Sequence, residues 1–461
     1  MIFRRNNLLT CGAIAAAALG FAGCQGVTQP GERAARKQLA AVRESYRPEY
    51  AAPALPQLTT NSPLSDFVTY ALFNHPVVAA NYYDWAASVE RITVARSRPD
   101  PKLTFETYIA GTITSIMPGL MTDIPGPGKL AARASAAAAA SEEKYFAFKS
   151  SLLQTAFEVK QAYYQLHFLE EKIRVNQQTL QLLMGLEQIA SAQNETGKGT
   201  LQDVLKTQIE AERLASEIAN LEHSRHSLLA QFKAALGMTP NDPEPAVPSG
   251  FVSTELDLTD DEIFDRALAQ NLQLKGMEAE IRQAEASLRL ARKERVPDFS
   301  VGGEVDVKAA PVIWNPQLSM TLPIWRDKIA AEIAEAQENK RAAEARFTTA
   351  QISLAVDFAE EAHRYHEANR NLSVLDQRLV PLATQSLDVT RAEYLSGRLE
   401  FLDVIEAERG LLDLQLERVE AQRQREISLA ELSLIISGAT PTPGTSAGAA
   451  KRTGSKSTGG M

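Results

Sequence analysis

Thiols are almost missing from this chain: Cys11 and Cys24 are its only cysteines in 461 residues, which excludes clustered-thiol chemistry. Aromatic residues make up 7%, and Ala, Leu, Glu, Gln and Arg recur throughout, the composition of long packed helices. Basic charge is not in excess. Lys and Arg total 48 against 57 acids, for a net charge of -9, which argues against a nucleic-acid scaffold with its basic patch. No glycine-rich phosphate loop and no nucleophile paired with a base can be found, so no enzyme and no cofactor is expected. Proline is absent from 129–195 and glycine occurs there once, at Gly185.

The N-terminus reads as an export signal over 1–23: Arg4 and Arg5, then an apolar run from Leu8 that is too short and too rich in Ala and Gly to span a membrane. FAGC at 21–24 resembles a bacterial lipoprotein cleavage box. Cys11 leaves with the signal, so Cys24 has no intrachain partner, and lipidation of Cys24 is the reading it favours; an ordinary signal peptide with an incidental cysteine is the alternative. Gln25 after the cysteine suggests sorting to the outer membrane. Residues 24–61 are polar and end in repeated prolines, which predict an extended strap.

From 62 the period is helical until RPDPK at 98–102 ends it. A β-hairpin follows at 101–125, then a helix over 129–195, about 100 Å long at 1.5 Å per residue. The turn at 197–199, with Gly197 and Gly199, reverses the chain into a helix over 200–236. Along it Ala211, Leu214, Ile218, Leu221, Leu228 and Phe232 form a coiled-coil seam. GMTP closes it at 237–240, and 241–256 is a linker.

The order then repeats over 257–438. Shifted by 196, Pro101 falls on Pro297; by 200, Gly197 falls on Gly397 and Asp203-Val204 on Asp403-Val404; by 201, GMTP falls on GATP at 438–441. This slow drift is a tandem duplication. In the second hairpin, 298–323, Val301, Val305 and Val307 alternate with Ser300, Glu304, Asp306 and Lys308. That pattern fits a membrane barrel strand, lipid on one side and water on the other, or equally a soluble half-buried hairpin. Four strands cannot close a barrel, for which about eight are needed, so a spanning sheet predicts an oligomer.

ALFNHP at 71–76, PDPKL at 99–103, IPGPGK at 124–129, LPIW at 322–325 and the turns TGKGTLQDVLK and YLSGRLEFLDVIE together resemble the TolC family of outer-membrane efflux channels, over 62–441. IPGPGK and PDP lean to its heavy-metal branch. The resemblance implies a mainly α protein with a membrane β-barrel: a homotrimer whose twelve strands close in outer-membrane lipid and continue as a coiled-coil helical barrel. It implies docking of a periplasmic adaptor, the membrane fusion protein, on the turns at Gly197, Gly199 and Gly397, and an inner-membrane pump of the RND type. It also places Asp203, Tyr394, Arg398, Asp403 and Glu406 at a periplasmic aperture. Leu399 stands where a relative carries an arginine that ties the closed state, and Arg398 comes one position early.

Plainer readings stand beside these. An Asp just after a turn favours the helix dipole by a few tenths to about 1 kcal/mol. Gly185 and Pro381 precede their turns by similar distances and predict a helix bend, or a tolerated irregularity. His223/His226 and His363/His366 lie about 44 Å and 47 Å from their turns by helix rise; the sharper reading is an imidazole metal belt, the plainer one solvated faces. In function, an efflux conduit stands beside a type I protein secretion duct and a periplasmic coiled-coil scaffold without a pore. The tail, 439–461, is small and polar and is expected to be disordered.

Overall fold

A computed structural model describes residues 30–47, 55–109, 113–197, 199–247, 250, 253 and 259–437. The export signal, Cys24 and the tail lie outside them. The elements run α1 (Pro30–Tyr46), α2 (Leu64–Asn74), α3 (Pro76–Arg96), β1 (Lys102–Ile109), β2 (Ile113–Ile124), α4 (Lys129–Glu195) and α5 (Leu201–Ala235). The same order returns as α6 (Asp260–Gln270), α7 (Leu272–Lys293), β3 (Phe299–Asp306), β4 (Ile313–Met320), α8 (Arg326–Val374), a π-turn (Leu375–Leu379), α9 (Val380–Leu395) and α10 (Phe401–Ser437). The chain divides into two compact units.

The first unit holds α1, α3, α7, the sheet, and the beginnings of α4 and α8. Its four strands form one antiparallel sheet in the order β1-β2-β3-β4. The two hairpins are joined because β2 pairs with β3, from Gly119 opposite Glu304 to Ile124 opposite Phe299. Below the strands, the Lys129 ammonium is buried between Glu294, at 3.2 Å, and Asp298, at 2.9 Å. Asp298 also accepts from the Gly126 amide at 2.7 Å, which ties the end of one hairpin to the start of the other.

The strap expectation fails over 30–46, which is helix α1. The prolines that suggested extension begin at Pro48, beyond its end, and Pro30 opens it, where a missing N–H costs nothing. Glu32, Leu39 and Tyr46 make its buried stripe. Glu32 receives Arg96 at 2.7 Å and Thr93 at 2.8 Å from α3, and Tyr46 packs on Tyr82 and Phe148.

The second unit holds α2, α5, α6, α9, α10 and the remainder of α4 and α8. One core joins Phe67, Tyr163, Phe168 and Phe232. A second core, under the turns, joins Leu186, Val204, Ile218, Tyr394, Phe401 and Leu411. The seam foreseen along α5 buries Leu214, Ile218 and Phe232. Arg225, which interrupts it, bonds Glu170 at 2.6 Å.

The single helix expected before each hairpin is two helices. Pro76 forces His75 into extended backbone, at ψ 124°. No proline explains the matching break at Asn271, φ -52° and ψ 120°; there a side chain accounts for it. Asn271 Nδ2 donates to the Ile435 carbonyl at 2.9 Å, and Asn74 Nδ2 to those of Leu236 and Gly237 at 3.1 and 3.0 Å. Each asparagine thus satisfies open carbonyls at the end of a neighbouring helix. Gly237 is required at that junction, since a Cβ there would stand 2.6 Å from His75 Cα.

Candidate functional site

Two regions carry functional geometry, the glycine turns of the second unit and the sheet of the first. At the first turn α4 ends with Gly197 in the left-handed region at φ 71°, and the Gly199 amide reaches the Gln193 carbonyl at 3.0 Å. At the second, Gly397 has φ 74°, and the Arg398 amide reaches the Glu393 carbonyl at 2.9 Å. These are glycine-terminated helix ends. A Cβ on either positive-φ glycine would meet nothing, so the backbone angle alone selects glycine.

Asp203 and Asp403 begin the return helices in matching ways. Asp203 Oδ2 accepts from the Thr200 amide at 3.1 Å, and Thr200 Oγ1 accepts from the Asp203 amide at 3.3 Å, a complete capping box. Asp403 Oδ2 accepts from the Glu400 amide at 3.0 Å. Within one chain both carboxylates therefore serve a helix start, as the plainer reading held. Arg398 and Glu406 are exposed.

Tyr394 is 8% exposed. Its ring meets Phe401 edge-on at 5.3 Å, and its hydroxyl donates to Gln193 Oε1 at 2.6 Å. Burial, aided by the Asp203 charge, raises its phenol above the ordinary range. Tyr394 thus links the second turn to the first, and the structure brings Asp203 close to it. Gln193 escaped sequence reasoning. The repeat offset gave a signal: at a shift of 200, Tyr394 falls on Asn194, the next residue.

Three more ties were missed. Arg391 on α9 bonds the buried Glu408 of α10 at 3.1 Å. Gln208 on α5 donates to Glu187 of α4 at 2.7 Å, the corresponding tie in the first hairpin of helices. Arg409 Nε donates to Glu210 at 3.0 Å, joining α10 to α5.

Gly185 lies inside the unbroken helix α4. Pro381 follows the π-turn, where the Val380 amide bonds the Leu375 carbonyl five residues back. A proline without an N–H, whose ring crowds the carbonyl four residues earlier, is accommodated by such a wide turn. His366 Nε2 lies 2.9 Å from Asp260 Oδ1, and His363 3.7 Å from Glu367. The rings of His223 and His226 stand 6.2 Å apart. Among the described residues no group of three or more His, Cys, Asp or Glu could hold a metal.

The register of the sheet separates its faces. Leu103 stands opposite Leu120 and Phe105 opposite Pro118, Val301 opposite Leu318 and Val305 opposite Trp314. This face carries no charged side chain, and it is open: Phe105 is 68% and Leu318 76% exposed. The other face bears Lys102, Glu106, Asp123, Glu304 and Asp306, with the Lys102 ammonium 2.8 Å from Asp123. Both edge strands, β1 and β4, have one side unpaired among the described residues. No described helix is long and apolar enough to cross a membrane.

Comparison with known proteins places the fold. The chain is 21% identical over 265 residues to the cobalt-zinc-cadmium resistance protein CzcC of Cupriavidus metallidurans, a match spanning 56% of this chain and 62% of that protein. Among solved structures it resembles the outer membrane protein VceC of Vibrio cholerae (TM-score 0.69, 16% identity, 81% of this chain and 96% of that one). It also resembles CusC (0.70, 17%, 85% and 99%) and the open state of the MtrE outer membrane channel of Neisseria gonorrhoeae (0.70, 17%, 85% and 98%). The model of the outer membrane efflux protein family matches residues 69–238 and 263–438, so the chain belongs to that family and is not an enzyme.

Proposed function

We propose that this chain is the outer-membrane channel of a tripartite efflux system, a passive homotrimeric conduit. One observation carries the reading: a four-stranded sheet with an open apolar face, a charged opposite face and two unpaired edges. Water would punish the apolar face, and unpaired strand edges invite pairing with further strands. Three copies supply twelve strands, enough to close a barrel with lipid outside and water within. The duplicated halves then bring six glycine turns around one axis. Asp203, Asp403 and Glu406 border the aperture there, with Tyr394 holding the turns of each chain together.

In this reading the turns receive a periplasmic adaptor, an inner-membrane RND pump supplies the energy, and Cys24 carries a lipid in the outer membrane. Pro381 and Gly185 mark where the helices bend as the turns converge. Likeness to a cobalt-zinc-cadmium resistance protein supports divalent metal ions as the exported substrate. The purified protein should run as a heat-resistant trimer and give single-channel conductance in planar bilayers; a monomer inert in bilayers overturns the conduit. Loss of the gene should sensitise the cell to zinc, cobalt or cadmium, and sensitivity to hydrophobic drugs alone overturns the metal assignment.

A further inference from the structure

We infer that, next to the turns, the contact between two copies of this chain repeats the contact between its own two halves: the α5 face of Leu201, Leu205 and Ile209 in one copy packs on the α9 face of Leu382 and Val389 in the next. The inference rests on the homotrimeric conduit proposed above. Its basis is an inequality between the repeats. At a shift of 200, Leu201 and Leu205 fall on Phe401 and Ile405. Phe401 and Ile405 are each 2% exposed, whereas Leu201 is 60%, Leu205 49% and Ile209 53% exposed. Spaced four residues apart, these three form one uncovered apolar stripe along α5.

What covers the second-repeat pair shows what the first-repeat stripe lacks. Phe401 and Ile405 of α10 share the core under the turns with Leu183, Leu186 and Ala190 of α4, so the return helix of the second repeat is seated on the long helix of the first. One chain, with two repeats, makes this junction once. A ring of three chains needs the remaining junctions between copies, and there the return helix of the first repeat, α5, meets the helix that leads into the second turn, α9. That helix has uncovered apolar side chains of its own: Leu382 is 60% and Val389 51% exposed, and a spacing of seven residues puts them on one face.

Height and charge agree. Leu205 follows Gly197 by eight residues and Val389 precedes Gly397 by eight, so each stands about 12 Å from its turn. Next to them, Lys206 and Asp388 both lie nine residues from the same glycines, which sets opposite charges level with each other beside the contact. A face of α5 against a different face on α9 is a heterologous contact, the kind that closes into a ring where a self-complementary patch would stop at a dimer. The occupant of the stripe is therefore a second copy, and the proposed adaptor is left the turns themselves.

The test is cross-linking of the purified full-length protein with a short bismaleimide, read on boiled denaturing gels. The double variant Leu205→Cys, Val389→Cys should give a ladder that ends at the covalent trimer. Each single variant should run as a monomer, which also controls for the native Cys24. If the first pair does not assemble, Ile209→Cys with Leu382→Cys, within one turn of the same height, should give the same ladder. A heat-resistant trimer in which neither pair links overturns this contact and leaves the conduit standing, with the stripe then open to an adaptor. A covalent dimer from Leu205→Cys alone overturns it as well, because two α5 faces would then meet each other. A wild type that does not trimerise overturns the conduit, and the contact with it.

Discussion

The Tyr394 hydroxyl donates to Gln193 Oε1 at 2.6 Å across 201 residues of sequence, so one hydrogen bond joins the last turn of α4 to the last turn of α9. The same tyrosine ring closes the core over Phe401. Packing and polarity are therefore separable at this residue.

Tyr394→Phe keeps the ring and removes the hydrogen bond, a loss of about 1 kcal/mol. Limited proteolysis should cut the variant faster near both turns, since the bond connects them. Cleavage at the wild-type rate would mean that the contact holds nothing.

Gly197→Ala and Gly397→Ala should each lower the thermal midpoint of unfolding. The added methyl meets no atom, but φ of 71° and 74° strains any residue with a Cβ, by about 1 kcal/mol. Asparagine, which tolerates this region better, should cost less than alanine at both positions.

Arg391→Met leaves the Glu408 carboxylate, 3% exposed, buried without its partner. Burial already pushes Glu408 upward against the opposing pull of Arg391. Removing one partner of a buried pair costs roughly 3 kcal/mol, whereas replacing both with apolar residues is often neutral. Chemical denaturation should show Arg391→Met strongly destabilised and the Arg391→Met, Glu408→Leu double variant restored.

Stability should fall as pH rises from about 5 to 8. Burial, with the neighbouring Glu431 carboxyl, pushes the Glu361 carboxyl up from 4.5 to about 8, with Glu360 adding to the rise and Arg364 opposing it. The unfolded chain releases this proton near pH 4.5 and the folded chain holds it to about 8, so the folded state loses ground through that interval. Glu361→Gln should flatten the dependence of the thermal midpoint over the same range. An equally steep curve in the variant would remove Glu361 from the account.

Much of the architecture was legible because its signals are local. The helix over 129–195 was read to its residue limits, since nothing within it breaks a helix, and each glycine turn announced itself through a residue that must adopt positive φ. Alternation marked the strands, and the repeat offset showed that the two halves share one plan. Less legible were features whose cause lies in a distant residue. Helix α1 hid behind the prolines that flank it, and the break at Asn271 has no local mark, because its compensation is the Ile435 carbonyl 164 residues away.

The residues proposed for the aperture divide in the same way. Asp203 and Asp403 were identifiable by position after a turn, yet their capping bonds are what the fold makes of them within one chain. Tyr394 was singled out beside the turn, but its burial and its bond to Gln193 depend on four helices meeting in one core.

By itself, then, the sequence determined most of the helices, strands and turns, which rest on backbone preference and periodicity within a few residues, and its quoted motifs and repeat offset carried the order that returns and the resemblance to the family. Only the tertiary structure decided that β2 pairs with β3 to merge two hairpins, that Glu304 lies across Gly119 to reach Thr104, and that Gln193 meets Tyr394. Those contacts join residues far apart in the chain, and their partners are set by packing, which no local pattern encodes.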